Sequence, residues 1–510
     1  MRSIASIVGG ARSMIAPGIA FALTAFTAAW MPDPNVVRWG IVLVAAVASC
    51  AVLARAQFDR VDFAIMAFVA WCVASVAWSP DRLASVDAAE KVLAVAIVAM
   101  AMRRIDLRWV LSAACVGIVA AMVFGSAPFA GFGNPEMLAW FALIALPLTG
   151  ISVAGFASAL FLIVLWVSVT FTSAIWVTLS LAVAVPFLVR KWWQRIAAAS
   201  ALMAGTVFAV LVSDEVANGV ATRLDLAAGT IAAWWAAPLF GHGIGSFLYV
   251  FPMFQGAGAA LSLLPFDVNA ATYANAAHNE YLQLLMETGI VGAALASWVV
   301  VENWRSREVA LGARLALVIA AVMCLVGFPM QIPATVALVV MAIARVSPTS
   351  PVHGARRKLA IPVAVAGAVA MAIVVALVPA KVIAQAHMSA VMRYMQPAIL
   401  YDKASAAMAL NNALKAYDLD RADARIRLAV FQTAALTYER WHDPSSRAGV
   451  DAAWLVAQSA SPSHTSALLT RLRVLVRDDD CYASDECVRI ANELVRTASR
   501  TQEVQQLRRF

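Results

Sequence analysis

Apolar stretches of about 20 residues, each nearly free of charge, follow one another through most of this chain, the pattern of a backbone that satisfies its own hydrogen bonds inside lipid. They fall near 13–31, 37–54, 61–78, 86–102, 108–125, 135–151, 152–170, 174–189, 196–213, 279–301, 311–327, 332–346 and 360–380. The pattern predicts an all-α, polytopic transmembrane bundle of about 12–13 spans, the count turning on the short 86–102 and 332–346 segments and the tight turn near Gly150. Composition points the same way: 62% of the 510 residues are hydrophobic and 13% charged, with a mean hydropathy of +0.79, which excludes an ordinary soluble domain.

The net charge of +8 has a topological explanation. With the N-terminus placed inside, the cytoplasmic loops collect Arg55/Arg60, Arg103/Arg104/Arg108, Arg190/Lys191/Arg195, Arg305/Arg307/Arg314 and Arg345/Arg356/Arg357/Lys358, whereas the intervening loops hold very few cations. No basic patch interleaved with aromatic residues stands out, so nucleic acid is not an expected partner; the lipid bilayer is. Arg2 and Arg12 precede an apolar stretch without a convincing small-x-small cleavage site, so the first stretch is expected to stay as a span. The expected location is a bacterial inner membrane, with four regions: an N-terminal bundle (1–213), a long periplasmic loop with interfacial helices (214–277), further transmembrane helices (278–380) and a periplasmic domain (381–510).

The last region mixes charges of both signs with apolar residues at helical spacing, as in Ala406, Leu410, Leu414 and Tyr417, then Ile426, Val430 and Leu436, and reads as short helices in hairpins. A tetratricopeptide-like array fits, although no clean repeat is visible. Cys50, Cys72, Cys115 and Cys324 lie in apolar spans and read as small core residues. Cys481 and Cys487 face an oxidising compartment in this topology, which predicts a small disulfide loop. Neither the cysteines nor the scattered histidines have the spacing of a structural zinc site, so no metal and no cofactor is expected.

Polar residues that could carry chemistry gather at one place. The 214–277 loop contains Thr222-Arg223-Leu224-Asp225, tandem Trp234-Trp235, and Pro238-Leu239-Phe240-Gly241-His242-Gly243-Ile244-Gly245-Ser246. Tandem tryptophan suits a membrane interface. Gly241-x-Gly243-x-Gly245 lacks the βαβ context of a nucleotide loop and reads as tight turns between short helices. Arg223 is the sole cation of that loop, and its guanidinium fork matches a donor phosphate at the membrane surface. His278 stands where the loop enters the next span, at a helix N-terminus that favours anions. Glu280, Gln283 and Glu287 follow it on one face of an apolar helix, as residues facing a bundle interior or a wet cavity do. Gly289, Gly292, Ala293 and Ala296 read as close helix packing.

Ala277-His278-Asn279-Glu280-Tyr281-Leu282-Gln283, with Glu287-Thr288-Gly289-Ile290-Val291-Gly292, resembles the signature stretch of the bacterial O-antigen ligase and Wzy-type polymerase family. Weaker echoes are Trp78-Ser79-Pro80-Asp81, Gly133-Asn134-Pro135, Arg223 ahead of Pro238-Leu239-Phe240-Gly241-x-Gly243, and Phe328-Pro329-x-x-Ile332-Pro333. Two positions depart from the family's habit: Ser173-Ala174 stands where Ser-Arg is frequent, and Ala276 where some members carry a second histidine. The resemblance implies a GT-C-like, metal-independent glycosyltransferase using an undecaprenyl-diphosphate-linked glycan. His278 would then be the base, Arg223 would stabilise the leaving diphosphate, and Asn279, Glu280, Tyr281, Gln283 and His242 would be candidate substrate contacts.

Three functions compete at this level. The first is a polymerase or ligase whose acceptor is a glycan or lipid A. The second is a protein O-oligosaccharyltransferase. The third is a transporter or flippase, against which stand the lack of an internal repeat with paired broken helices and the concentration of polar residues at one periplasmic site.

Overall fold

The computed structural model describes residues 34–54, 58–104, 140–141, 143–148, 214–255, 276–305, 311–325, 327–346, 360–395, 402–441, 447–478 and 484–498. The expected spans 13–31, 108–125, 152–170, 174–189 and 196–213, most of 135–151, and Gly133-Asn134-Pro135, Ser173, Ala174, Cys115 and Cys481 lie outside these residues. Every described element is helical and no strand occurs among the described residues. In chain order the α-helices are α1 (Pro34–Leu53), α2 (Arg60–Ser75), α3 (Arg82–Met102), α4 (Asp214–Ala236), α5 (Phe247–Phe254), α6 (Glu280–Trp304), α7 (Leu311–Met323), α8 (Pro333–Val346), α9 (Ala360–Tyr394), α10 (Lys403–Leu419), α11 (Ala424–Trp441), α12 (Arg447–Ala460), α13 (Thr465–Arg477) and α14 (Asp485–Ala498). Among the described residues, Arg60–Trp78, Glu280–Trp304 and Val375–Tyr394 are long and apolar enough to cross a membrane.

The chain forms two compact units. The first comprises Met1–Trp71, Glu90–Ala217 and Ala294–Val378. Small residues set its packing: Ala313, Ala316 and Ala320 of α7 and Ala334 and Ala342 of α8 are buried with Trp140, Phe141, Ile144 and Leu148. A side chain at Gly312 would collide with the Pro147 carbonyl, so the backbones meet there without a spacer. A second cluster joins Leu43, Ala46 and Leu53 of α1 to Val61, Ile65 and Val69 of α2 and to Ala94, Ile97 and Ala101 of α3. Where α2 begins and α3 ends, Arg103 donates to Asp59 at 2.5 Å and to Asp62 at 2.5 Å, and Arg104 donates to Asp62 at 2.6 Å. Burial alone pushes the Asp59 carboxyl up, but the Arg103 guanidinium outweighs it and holds the group below the usual carboxylate range. Two of the arginines that mark the expected cytoplasmic loops are thus neutralised by carboxylates.

The second unit comprises Cys72–Ala89, Asn218–Ala293 and Pro379–Phe510. Its largest core belongs to the last helices: α10 packs on α11, α11 on α12 and α13, and α13 on α14, around Phe431, Trp454, Leu468, Ile490 and Leu494. The helical period expected along α10 is present with its phase moved. Ala406, Ala409, Ala413 and Ala416 are buried, whereas Leu414 is 44% exposed, because an alanine seam lets α11 approach closely. Asp402 caps α10 through Ala404 N–H and Ser405 N–H, and His464 Nδ1 caps α13 by accepting from Ala467 N–H.

The boundary expected at 380/381 falls inside a helix, since α9 continues past Pro379 to Tyr394. Although Val375–Tyr394 meets the length and apolarity of a span, Ala384, Met388, Val391 and Met395 are buried in the core of the last helices. Gln385 donates to Asp423 and His387 pairs with Asn412, so this half of α9 is fixed by protein partners. Cys487 is disulfide-bonded, and its expected partner Cys481 lies outside the described residues.

Candidate active site

The site is built around two backbone irregularities in the second unit. The first is the turn into α6. Asn279 is the helix N-cap: its Oδ1 accepts from Leu282 N–H at 3.0 Å, and its carbonyl accepts from Gln283 N–H. Its side-chain oxygen is therefore occupied by the helix, which takes part of it away from the substrate contact expected of it. His278 comes one residue earlier, outside the helix, with φ +50, a left-handed conformation uncommon for a side-chain-bearing residue.

The second irregularity lies further along α6. Gly289 has φ 67 and ψ −172, a region essentially limited to glycine, and the helix breaks there. A break inside an apolar helix exposes carbonyls on one side and N–H groups on the other, and the glycine-rich segment satisfies both. Met286 and Glu287 carbonyls accept from His242 N–H (3.0 Å) and Gly243 N–H (2.7 Å), while Ile290 N–H and Val291 N–H donate to the Pro238 and Leu239 carbonyls (3.0 and 3.2 Å). Gly241, Gly243 and Gly245 all have positive φ, as expected of tight turns. A side chain on Gly241 would strike the Glu287 backbone, and one on Gly289 the Leu239 carbonyl. Gly289 is therefore a built-in interruption and not the helix-packing residue that its spacing suggested.

Side chains tie these two features together. The Glu287 carboxylate is buried; its Oε2 accepts from Gly245 N–H at 2.8 Å and its Oε1 from Gln283 Nε2 at 3.1 Å. Gln283 Oε1 in turn accepts from Ala277 N–H at 3.1 Å, immediately before His278. His242 directs its Nε2 to the Ala233 carbonyl at 2.8 Å, which fastens the glycine segment to α4. Trp234 Nε1 donates to the Pro238 carbonyl at 3.2 Å.

The residue 72–89 hairpin lies under this loop. Ser75 Oγ accepts from Ile244 N–H at 3.0 Å, and Gly243 and Gly245 press against Ser75 and Ser79 and against Ala84 and Ala88. Asp81 of the Trp78-Ser79-Pro80-Asp81 echo caps α3 through Ala84 N–H and forms a buried ion pair with Arg427 of α11. Lys381 forms a partly exposed ion pair with Asp87. Leu248 of α5, directly after the glycine segment, packs on the core of the last helices. The C-terminal helices and the loop therefore share one packed body. Sequence reading missed these braces, because their partners are more than 290 residues apart.

Arg223, on α4, is half-buried and acts on His278: burial first, and then the Arg223 charge, hold the imidazole down to about 4. The ring is thus neutral near pH 7 and able to accept a proton. Glu280 is half-buried at the helix start and Tyr281 is 45% exposed. The exposed face of α4 and the loop carries large apolar side chains, Leu224, Ile231, Trp235, Leu239 and Phe240. No group of metal-ligating side chains occurs among the described residues.

No curated protein matches the chain. Residues 137–297 match the family model described as O-Antigen ligase, a stretch that takes in Arg223, the glycine segment, His278 and the Gly289 break.

Proposed function

We propose that this protein is a membrane glycosyltransferase that transfers or polymerises an undecaprenyl-diphosphate-linked oligosaccharide at the periplasmic face. The observation that carries the reading is the pairing of a neutral, half-buried His278 with Arg223 at the entry of an apolar helix, inside a stretch that matches the O-antigen ligase model. In the reaction, an acceptor hydroxyl attacks the anomeric carbon, the bond from that carbon to the diphosphate oxygen breaks, and His278 takes the hydroxyl proton. Arg223 and the N-terminal end of α6 face the charge that develops on the departing diphosphate, the task of preorganised donors. General-base assistance of this kind is worth about 10²–10⁴ in rate.

The periplasmic placement is supported by the loop charges and by the division of the chain. The second unit collects the segment 218–293 and the tail after 379, nearly the residues that the charge pattern assigns outside. The acceptor follows from a product analysis in which glycan is sought on lipid A, on another lipid-linked glycan and on protein. For the chemistry itself, His278→Ala at normal membrane abundance is expected to stop transfer and accumulate lipid-linked glycan; an unchanged product profile would remove the histidine from the mechanism.

A further inference from the structure

We propose that Gln283 and Glu287 are positioning residues that hold His278 in its working orientation through the backbone, an inference that rests on reading His278 as the base. His278 adopts φ +50 with no glycine to make that conformation easy, so its neighbours must impose it. On the far side, Asn279 is locked by its capping bonds to Leu282 and Gln283. On the near side, Ala277 is buried and its N–H is held by Gln283 Oε1. That glutamine is held in its turn, its Nε2 donating to Glu287 Oε1, while Glu287 Oε2 receives the Gly245 N–H. The result is a relay with a fixed donor order: Gly245 and Phe247 N–H groups donate to Glu287, Gln283 donates to Glu287 and accepts from Ala277, and Ala277 donates. Position 278 is fixed between two clamped neighbours, and the clamp is anchored in the loop that fills the Gly289 break.

The donor and acceptor order dictates which substitutions succeed. In Glu287→Gln, the new NH₂ faces either Gly245 N–H or the Gln283 NH₂, so two donors oppose each other. In Gln283→Glu, two carboxylates face each other. In the exchange Gln283→Glu with Glu287→Gln, the three bonds that run from Gly245 to Ala277 reform with the charge moved along the helix. The amide now at position 287 accepts from Gly245 N–H and donates to the carboxylate now at position 283, which accepts in turn from Ala277 N–H.

The test measures kcat and KM for the two single variants, the exchange and His278→Ala, in membrane vesicles holding the host's own polyprenyl-diphosphate-linked glycan, with thermal unfolding in detergent for each. A displacement of the base on the scale of 1 Å costs about 10²-fold, so each single variant is expected to lose roughly that in kcat with little change in KM, and the exchange to recover to roughly threefold of the parent. Singles that fail to fold beside an exchange that folds and turns over support the relay equally. If His278→Ala is inactive while the singles keep the parental kcat, or if the exchange stays as slow as the singles or fails to fold, the relay is overturned and the base survives. If His278→Ala itself turns over normally, the base reading falls instead.

Discussion

Burial and the Arg223 guanidinium both oppose a proton on His278, which is why its imidazole is held at about 4. The imidazole therefore stays neutral down to that pH, and with His278 as the proposed base kcat/KM is expected to fall only as pH drops through about 4. A bound diphosphate offsets the Arg223 charge, so protonation becomes easier in the complex and the acidic limb of kcat lies at higher pH than that of kcat/KM. Arg223→Ala removes the same repulsion and is expected to raise the kcat/KM limb while lowering the rate by about 10²-fold or more. Full pH-rate profiles of the parent and this variant check both shifts. His464 obeys the same sign elsewhere: burial holds it at about 4, and its Nδ1 must stay unprotonated to cap α13. The unfolded chain binds this proton more readily, so the C-terminal helices lose on the order of 3 kcal/mol as pH falls from about 6.5 to about 4. Denaturant unfolding in detergent at these two pH values measures it. At this scale the sequence singled out His278 and Arg223, and the two interact electrostatically in the fold. The hydrogen bonds that Asn279 and His242 make to the backbone were not legible, because capping and carbonyl contacts leave no composition signal.

Helix α6 contrasts with α12 in the kind of glycine it holds. Gly289 occupies a glycine-only backbone region and faces the Leu239 carbonyl, so Gly289→Ala is expected to cost about 3 kcal/mol or prevent stable insertion. Gly449 of α12 has open space around it, and Gly449→Ala is expected to stabilise by roughly 0.5 kcal/mol. Thermal melts of the two variants in detergent should move in opposite directions. The sequence placed α6 well, 279–301 expected against Glu280–Trp304 observed, because an apolar run of that length has one economical solution in lipid. It did not reveal the break, since Gly-x-x-Gly in a span has the same spacing whether the residues pack a neighbour or interrupt the helix. The decisive partners, Pro238 to Gly243, lie far upstream in the chain, and only the fold brings them to positions 286–291.

Across the second unit, the buried pair Asp81–Arg427 joins a short hairpin near the start of the chain to the helices near its end. Arg427→Ala leaves the Asp81 carboxylate buried and unpaired, and is expected to cost about 3–5 kcal/mol. The double change Asp81→Asn with Arg427→Met should cost clearly less, and thermal unfolding of both variants in detergent compares them. Removal of the last helices would likewise loosen the glycine loop, since Leu248 and the 72–89 hairpin lean on them. What the sequence determined by itself was the solvent, the helical class, the orientation signal and the two residues proposed to face the chemistry. All of these follow from local composition: runs of apolar residues, cations on alternate loops, and polar groups that lipid would otherwise reject. What only the tertiary structure decided was how position 278 is held, why Gly289 is a glycine, and that the C-terminal helices belong to the body of the site. Each of those is a contact between distant segments, and a hydrogen bond or ion pair of that kind imposes no period or spacing on the chain that makes it.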